Sequence, residues 1–312
     1  MKKILKDSIN KLAADFTNKL DFTFNLYNKN GHQYLMNSWP GSDDEDVMIC
    51  VYKGNSIDEP FHRQDFFFMN YAYENNYATQ SDEKGTITPI LEGDCYIGQP
   101  YNGYSLRATE PEDVTIVGVL IKRDVFIKDY LQTLATDSRM FNFFLEPQKD
   151  YFSSSYIQIK IPKDSPIRTL LEMMIIEYAH KKEDTQVILK PMILTFFMMI
   201  ARLYRTKKTT REVDSLSEEI IQYIADNPEN VSLKEVADHF SYHPNYISSL
   251  IHKETGETFS KIVLKQRMRR AKLLLKNTKL SVEEIAYMLG YSNPSNFYKA
   301  FKRVYKKSPR EI

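Results

Sequence analysis

One pattern is written twice in the last hundred residues of this chain, and that constrains its fold more than any other feature. "SLKEVADHFSYHPNYISSLI" at 232–251 and "SVEEIAYMLGYSNPSNFYKAF" at 281–301 superimpose with a shift of 49 and one extra residue in the second turn. Ser232 with Glu235, and Ser281 with Glu284, have the Ser-x-x-Glu spacing of a capping box, so both copies open on a helix start. Val236 matches Ile285, Ala237 matches Ala286, Phe240 matches Leu289, Tyr242 matches Tyr291, Ile247 matches Phe297 and Ile251 matches Phe301. Each copy predicts a capped helix of about eight residues, a short turn, and a second amphipathic helix begun at Pro244 or Pro294, where proline suits the first turn. The small Ala237 and Ala286 let the paired helices approach closely. Gly290 can supply the left-handed residue that ends the first helix, whereas Ser241 must fill that place in the other copy without glycine's freedom. Such a unit is a helix-turn-helix.

Between the copies, "TFSKIVLKQRMRRAKLLLKNT" keeps Ile262, Leu264, Met268, Ala271, Leu274 and Leu275 near one face and predicts Lys265, Arg269, Arg270 and Lys272 facing solvent. A helix of that length spans about 30 Å, close to one turn of B-form DNA at roughly 34 Å. The connector can therefore set two second helices into successive major grooves on one face of a duplex, a separation that a plain helical bundle would not need.

Charge is distributed to match. Residues 1–200 carry 21 Lys+Arg against 28 Asp+Glu, and residues 261–312 carry 14 against 3, although the whole chain of 312 residues is nearly neutral at +1. The acidic part avoids polyanions and the basic end seeks them. The length predicts two domains, and 42% hydrophobic residues describe an ordinary globular protein. Cys50 and Cys95 make neither a disulfide framework nor a metal-binding pair, and "MKKILKDSINKLAADF" has no signal-peptide pattern, so a reducing cytoplasm is expected. "MILTFFMMIARLY" at 192–204 follows Lys190-Pro191 and meets Arg202 well short of the roughly 20 residues a bilayer requires, so it reads as a buried helix and no membrane partner is expected.

The first part of the chain reads as β structure. "DVMICVYKG", "DFFFMNYAY", "GTITPILEGDCYIGQP" and "VTIVGVLI" are short β-branched and aromatic runs punctuated by Gly, Pro, Asn and Asp, at the spacing of an antiparallel sandwich or barrel. In the second run, Phe67, Met69, Tyr71 and Tyr73 alternate with Phe66, Phe68, Asn70 and Ala72, so one aromatic set should point inward. From about Lys122 the periodicity becomes helical, with Ser165-Pro166 as an N-cap and first-turn pair. "RTKKTTREVDS" at 205–215 has no periodicity and is the linker candidate. The predicted fold class is α+β, with an N-terminal antiparallel β-barrel over 1–121, a helical dimerisation region over 122–204, a linker over 205–214, and an all-α domain of two helix-turn-helix units joined by a long helix over 215–312.

With "RMRRAKLLL", "GYSNPSNFYKAFKR" and "KKSPREI" in this order, residues 215–312 resemble the DNA-binding domain of the AraC/XylS family of transcription regulators. The acidic β-rich part resembles, much more weakly, that family's cupin-like sensing domain. The resemblance implies a sequence-specific regulator of transcription rather than an enzyme, with double-stranded DNA, a second copy of the chain, a small-molecule effector such as a sugar or another metabolite, and RNA polymerase as partners. Activation and repression both stay open. On the second helices the apolar positions are committed to the core, which leaves Asn245, Tyr246, Ser248 and Ser249 in the first unit and Ser295, Asn296, Tyr298 and Lys299 in the second to face outward. The family's recognition positions fall on Asn245, Ser248, Ser249, Ser295, Asn296 and Lys299, whose amides, hydroxyls and amine suit base edges. Lys302, Arg303, Lys306 and Lys307 suit phosphates. Phe297, Phe301 and Tyr305 recur at a spacing of four and read as core. In the barrel, His62, Arg63 and Tyr104 are candidates for the mouth of an effector pocket, by analogy with sugar-binding members. A cupin metal site is not expected, since "PFHRQDF" has Gln64 where a second His is wanted and "QPYNGYSL" has none. No cofactor, metal ligand or catalytic residue is expected. The competing reading is a cupin-type sugar-binding protein or enzyme whose helical end is an interaction module.

Overall fold

The computed structural model of the chain describes residues 2–19, 24–29, 32–82, 85–108, 112–130, 143–144, 156–206, 216–229, 231–278 and 280–312. The expected linker lies outside these residues from 207 onward, as does most of the segment 123–145, expected to be helical. The fold is α+β and divides into two compact units, one of Met1–Phe126 with Pro147–Thr206 and one of Ile127–Glu146 with Lys207–Ile312.

In the first unit the β-rich runs become strands: β1 (Phe24–Lys29), β2 (His32–Asn37), β3 (Val47–Gly54), β4 (Ile57–Asp58), β5 (His62–Gln64), β6 (Phe67–Glu74), β7 (Tyr77–Gln80), β8 (Ile87–Ile90), β9 (Asp94–Gly98), β10 (Gly103–Ala108), β11 (Val114–Ile121) and β12 (Tyr156–Lys160). One sheet runs β1-β2-β5-β10-β7-β8 with β4 on β10, and the other runs β12-β9-β6-β11-β3. The described pairings are antiparallel except β2 with β5. Phe68 of one sheet stacks on Tyr104 of the other with ring centroids 4.4 Å apart, and Gly98 leaves the room: a Cβ there would sit 2.1 Å from the Phe68 ring.

The expected one-sided alternation in β6 is corrected: Phe67 through Tyr73 are all buried. The sheet is covered twice. Phe68 and Asn70 meet the facing sheet through Tyr104 and Tyr77, whereas Phe67 packs on Phe126, and Tyr71 and Tyr73 meet Arg168 of α2 (Pro166–Ala179). A strand buried on both faces shows no polar alternation. The reading of 122–204 as wholly helical is corrected as well, because β12 lies within it and joins β9. Ser165 caps α2 by accepting from the Ile167 amide, with Pro166 in its first turn as predicted.

α1 (Lys2–Lys19), which the sequence reading left unassigned, packs on β3 and α2. α3 (Thr185–Thr206) starts before Pro191 instead of after it. Val187 and Pro191 are both exposed, so the carbonyl that loses its amide partner to the proline can be hydrated. Among the described residues α3 is long and apolar enough to cross a membrane by length and composition. One face, including Leu189, Ile193, Phe196, Phe197, Ile200 and Ala201, is buried in this unit, and the opposite face, with Val187, Ile188 and Met198, is exposed.

The second unit comprises α4 (Leu216–Asp226), α5 (Leu233–Phe240), α6 (Pro244–Thr255), α7 (Phe259–Asn277), α8 (Val282–Met288) and α9 (Pro294–Tyr305), closed by a 3-10 turn at Pro309–Glu311. Ile220 and Ile224 of α4, Val236 and Ala237 of α5, Ile247 and Ile251 of α6 and Ile262 of α7 share one core. Met268, Ala271 and Leu274 of α7 are buried, as are Ile285, Ala286, Phe297 and Phe301 of α8 and α9.

Candidate nucleic-acid interface

Both copies of the repeat fold by the same local chemistry. The Ser232 amide donates to Glu235 Oε2 at 2.7 Å while the Glu235 amide donates to Ser232 Oγ at 3.2 Å. The distances are the same for Ser281 and Glu284. Hydrogen bonding to Ser281 holds the Glu284 carboxyl below its ordinary range. Each first helix ends on a left-handed residue, Ser241 at φ 59° or Gly290 at φ 78°. The next amide reaches back five residues, Tyr242 to Ala237 O at 2.9 Å and Tyr291 to Ala286 O at 3.0 Å. The second helices start at Pro244 and Pro294, capped by His243 Nδ1 accepting from Asn245 N and Asn293 Oδ1 accepting from Ser295 N.

This geometry turns the predicted reading residues outward. Asn245, Ser249, Ser295, Asn296 and Lys299 are exposed, and Ser248 is half-buried. Lys302, Arg303, Lys306 and Lys307 are exposed along and just beyond the end of α9. Phe297 and Phe301 have no exposed surface and Tyr305 is half-buried under Lys272, as the spacing of four predicts. Tyr298 departs from the prediction: it is half-buried, its hydroxyl is enclosed, and Arg310 lies over its ring.

The connector is partly corrected too. Lys265 is exposed and tied to Glu257 at 2.7 Å, but Arg270 is only 7% exposed, 3.3 Å from Glu229. Arg267, which the sequence reading did not single out, donates from Nε to Pro228 O at 2.5 Å and from Nη2 to Glu229 O at 3.0 Å. Its guanidinium also lies 5.5 Å from the centre of the Tyr291 ring. Gly290 sits against the same carbonyl, where a Cβ would come 1.9 Å from Glu229 O. Two arginines of α7 thus bind the 228–229 turn to the second repeat. Tyr291 is drawn inward, while its counterpart Tyr242 stays 45% exposed and stacks on Tyr246.

In the first unit, a pocket of about 360 Å³ is lined by Gln33, Tyr34, Phe61, His62, Arg63 and Gln80, with Leu35. Arg63 donates to Tyr101 O at 2.8 Å and lies near the Tyr34 and Phe61 rings. His62 donates from Nδ1 to Pro60 O at 2.9 Å between the rings of Phe24 and Tyr104, and burial pushes its pKa down to about 4, so the ring is neutral. Tyr104 does not line the pocket: it is the buried wall behind His62.

A family model described as a helix-turn-helix domain matches residues 236–312. The chain is 28% identical over 174 residues to the HTH-type transcriptional activator RhaS of Enterobacter, covering 55% of this chain and 62% of that protein. It is 26% identical over 255 residues to the HTH-type transcriptional regulator YfiF of Bacillus subtilis, covering 72% and 77%. Other relatives among the first it matches are covered over 12 to 35% of their length, so the chain spans less than two thirds of those relatives. Among solved structures, an apo point variant of ToxT from Vibrio cholerae matches 87% of this chain and 98% of its own at 15% identity and a TM-score of 0.40. The doubled helix-turn-helix at its C-terminal end is thus an AraC-type DNA-binding domain, similar to that of these transcriptional regulators.

Proposed function

We infer that the chain is a sequence-specific regulator of transcription that binds double-stranded DNA and works in the cytoplasm. The observation that carries this is the doubled helix-turn-helix, with apolar residues committed to the core and Asn245, Ser249, Ser295, Asn296 and Lys299 left exposed on the two second helices. Those five, with the half-buried Ser248, read bases, and Lys302, Arg303, Lys306 and Lys307 hold phosphates. The pocket at His62 and Arg63 receives a small polar effector such as a sugar, whose occupancy shifts an existing equilibrium in how the DNA-binding domains are presented. The exposed apolar residues Met173, Val187, Ile188 and Met198 on α2 and α3 support a homodimer through this surface. Contact with RNA polymerase belongs to the same reading.

The test is binding of the full chain to random duplexes in about 0.15 M salt, with enrichment and sequencing of the bound fraction. Enrichment of one motif is expected. Lys299→Ala then relaxes the choice at one or two base pairs, at a cost of roughly 1–3 kcal/mol, while Lys302→Ala weakens all sequences alike and lowers the salt slope by about 0.9. No enriched motif, or two variants that behave identically, defeats the assignment.

A further inference from the structure

The two helix-turn-helix units are unequal in charge. Residues 232–255 carry two Lys+Arg against three Asp+Glu, whereas residues 281–312 carry six against three and the connector helix 259–277 adds seven with no acid. Counterion release rewards cations on phosphates, so an acidic unit on DNA must contribute through uncharged contacts to base edges.

The largest exposed groups at the turn and second helix of that acidic unit are two phenols. Tyr242 and Tyr246 are 45% and 48% exposed, with ring centroids 5.0 Å apart and planes 23° from parallel. The core beneath α6 is filled by Ile247 and Ile251. The second unit has no such pair, because Tyr291 packs against Phe297 at 5.5 Å and the position of Tyr246 is held by Asn296. Stacking restrains both rings before any ligand arrives, so little side-chain entropy is lost on contact. In the major groove the apolar feature that marks a base pair is the C5-methyl of thymine.

Resting on the DNA-binding reading above, we propose that the Tyr242–Tyr246 stack is a thymine reader. The ring of Tyr246 packs against a thymine methyl in the half of the site bound by the first unit, and α7 with the second unit supplies the ionic affinity. The two repeats thus divide the work between choosing and holding.

The experiment takes the duplex enriched by the full chain and replaces each thymine in turn by deoxyuridine, which removes one methyl and nothing else. Wild type is expected to lose roughly fourfold in affinity, the worth of one buried methyl, at one or two positions of one half-site. Tyr246→Ala should bind both duplexes equally at those positions, and Tyr246→Phe should keep the distinction. Both should leave the salt slope unchanged, while Lys302→Ala lowers it and keeps the methyl preference. A wild type indifferent to every deoxyuridine, a Tyr246→Ala protein that still discriminates, or a Tyr246→Phe protein that does not, overturns the thymine reader. DNA binding survives those outcomes, since it fails only if wild type enriches no sequence at all.

Discussion

Gly290→Ala tests the closure of the second helix-turn-helix at one atom. The backbone there has φ 78°, a conformation that costs an L residue roughly 1–2 kcal/mol. The added Cβ would also lie 1.9 Å from Glu229 O, so the two must separate by more than an ångström to reach the 3.0 Å that real contacts observe. That carbonyl does not retreat freely: Arg267 Nη2 donates to it at 3.0 Å and Nε donates to Pro228 O at 2.5 Å. Loss of one charge-assisted bond is worth about 1.5–3 kcal/mol, so the expected destabilisation is roughly 3–4 kcal/mol. Ser241→Gly is the reciprocal control. It relieves a left-handed serine at φ 59°, and should stabilise by about 0.5–1 kcal/mol after glycine's own entropy is counted. Urea unfolding of the full chain separates the units, because the single tryptophan, Trp39, lies in the first. Far-UV dichroism should show a component displaced by more than about 1 M in Gly290→Ala. Trp39 fluorescence should not move. An unchanged dichroism midpoint, or a Ser241→Gly protein as damaged as Gly290→Ala, refutes the account of the turn.

Arg270→Ala removes a buried guanidinium and its ion pair with Glu229, and should lower the stability of the second unit by about 2 kcal/mol in the same assay. Burial raises the Glu59 carboxyl to about 7, so its contribution is full below about 4.5 and is lost as pH rises through 7. Glu59→Gln should therefore remove a loss of about 3 kcal/mol from the Trp39 unfolding profile over that window. For the neutral His62 the sign is opposite: its contribution is present above 6.5 and lost as pH falls through about 4, and His62→Gln should flatten that acid limb. For the proposed homodimer, Met198→Glu on the exposed face of α3 should shift sedimentation of the full chain toward monomer.

Much of the second unit was legible because its information is local. A capping box, a proline in the first turn and a residue that ends a helix act within five residues, and the second copy tests each against chance. Even the missing glycine was readable as a demand on Ser241, which meets it by taking the left-handed conformation itself. What failed in the β-rich unit was long-range. Whether Phe67 and Phe68 face core or water depends on which layers cover their sheet, and helices α1 and α2 come from distant parts of the chain. Pro191 misled for a related reason, since its local cost to the helix is outweighed by burial of the apolar face of α3, which comes from the rest of the unit.

Alignment of the repeats predicted equivalent roles for equivalent positions, and Tyr242 with Tyr291 shows where that logic stops. Register fixes the backbone of both tyrosines, down to the bond each amide makes five residues back. It does not fix their surroundings. Arg267 reaches the 228–229 carbonyls from α7 and carries its guanidinium to the Tyr291 ring, while Tyr242 faces outward against Tyr246. The candidate base contacts were visible because they follow from subtracting the core positions of a helix. The tyrosine stack was not, because it depends on what the other helices leave uncovered. The repeat therefore preserves the scaffold of each unit and lets its packing against the rest of the domain decide which side chains stay exposed.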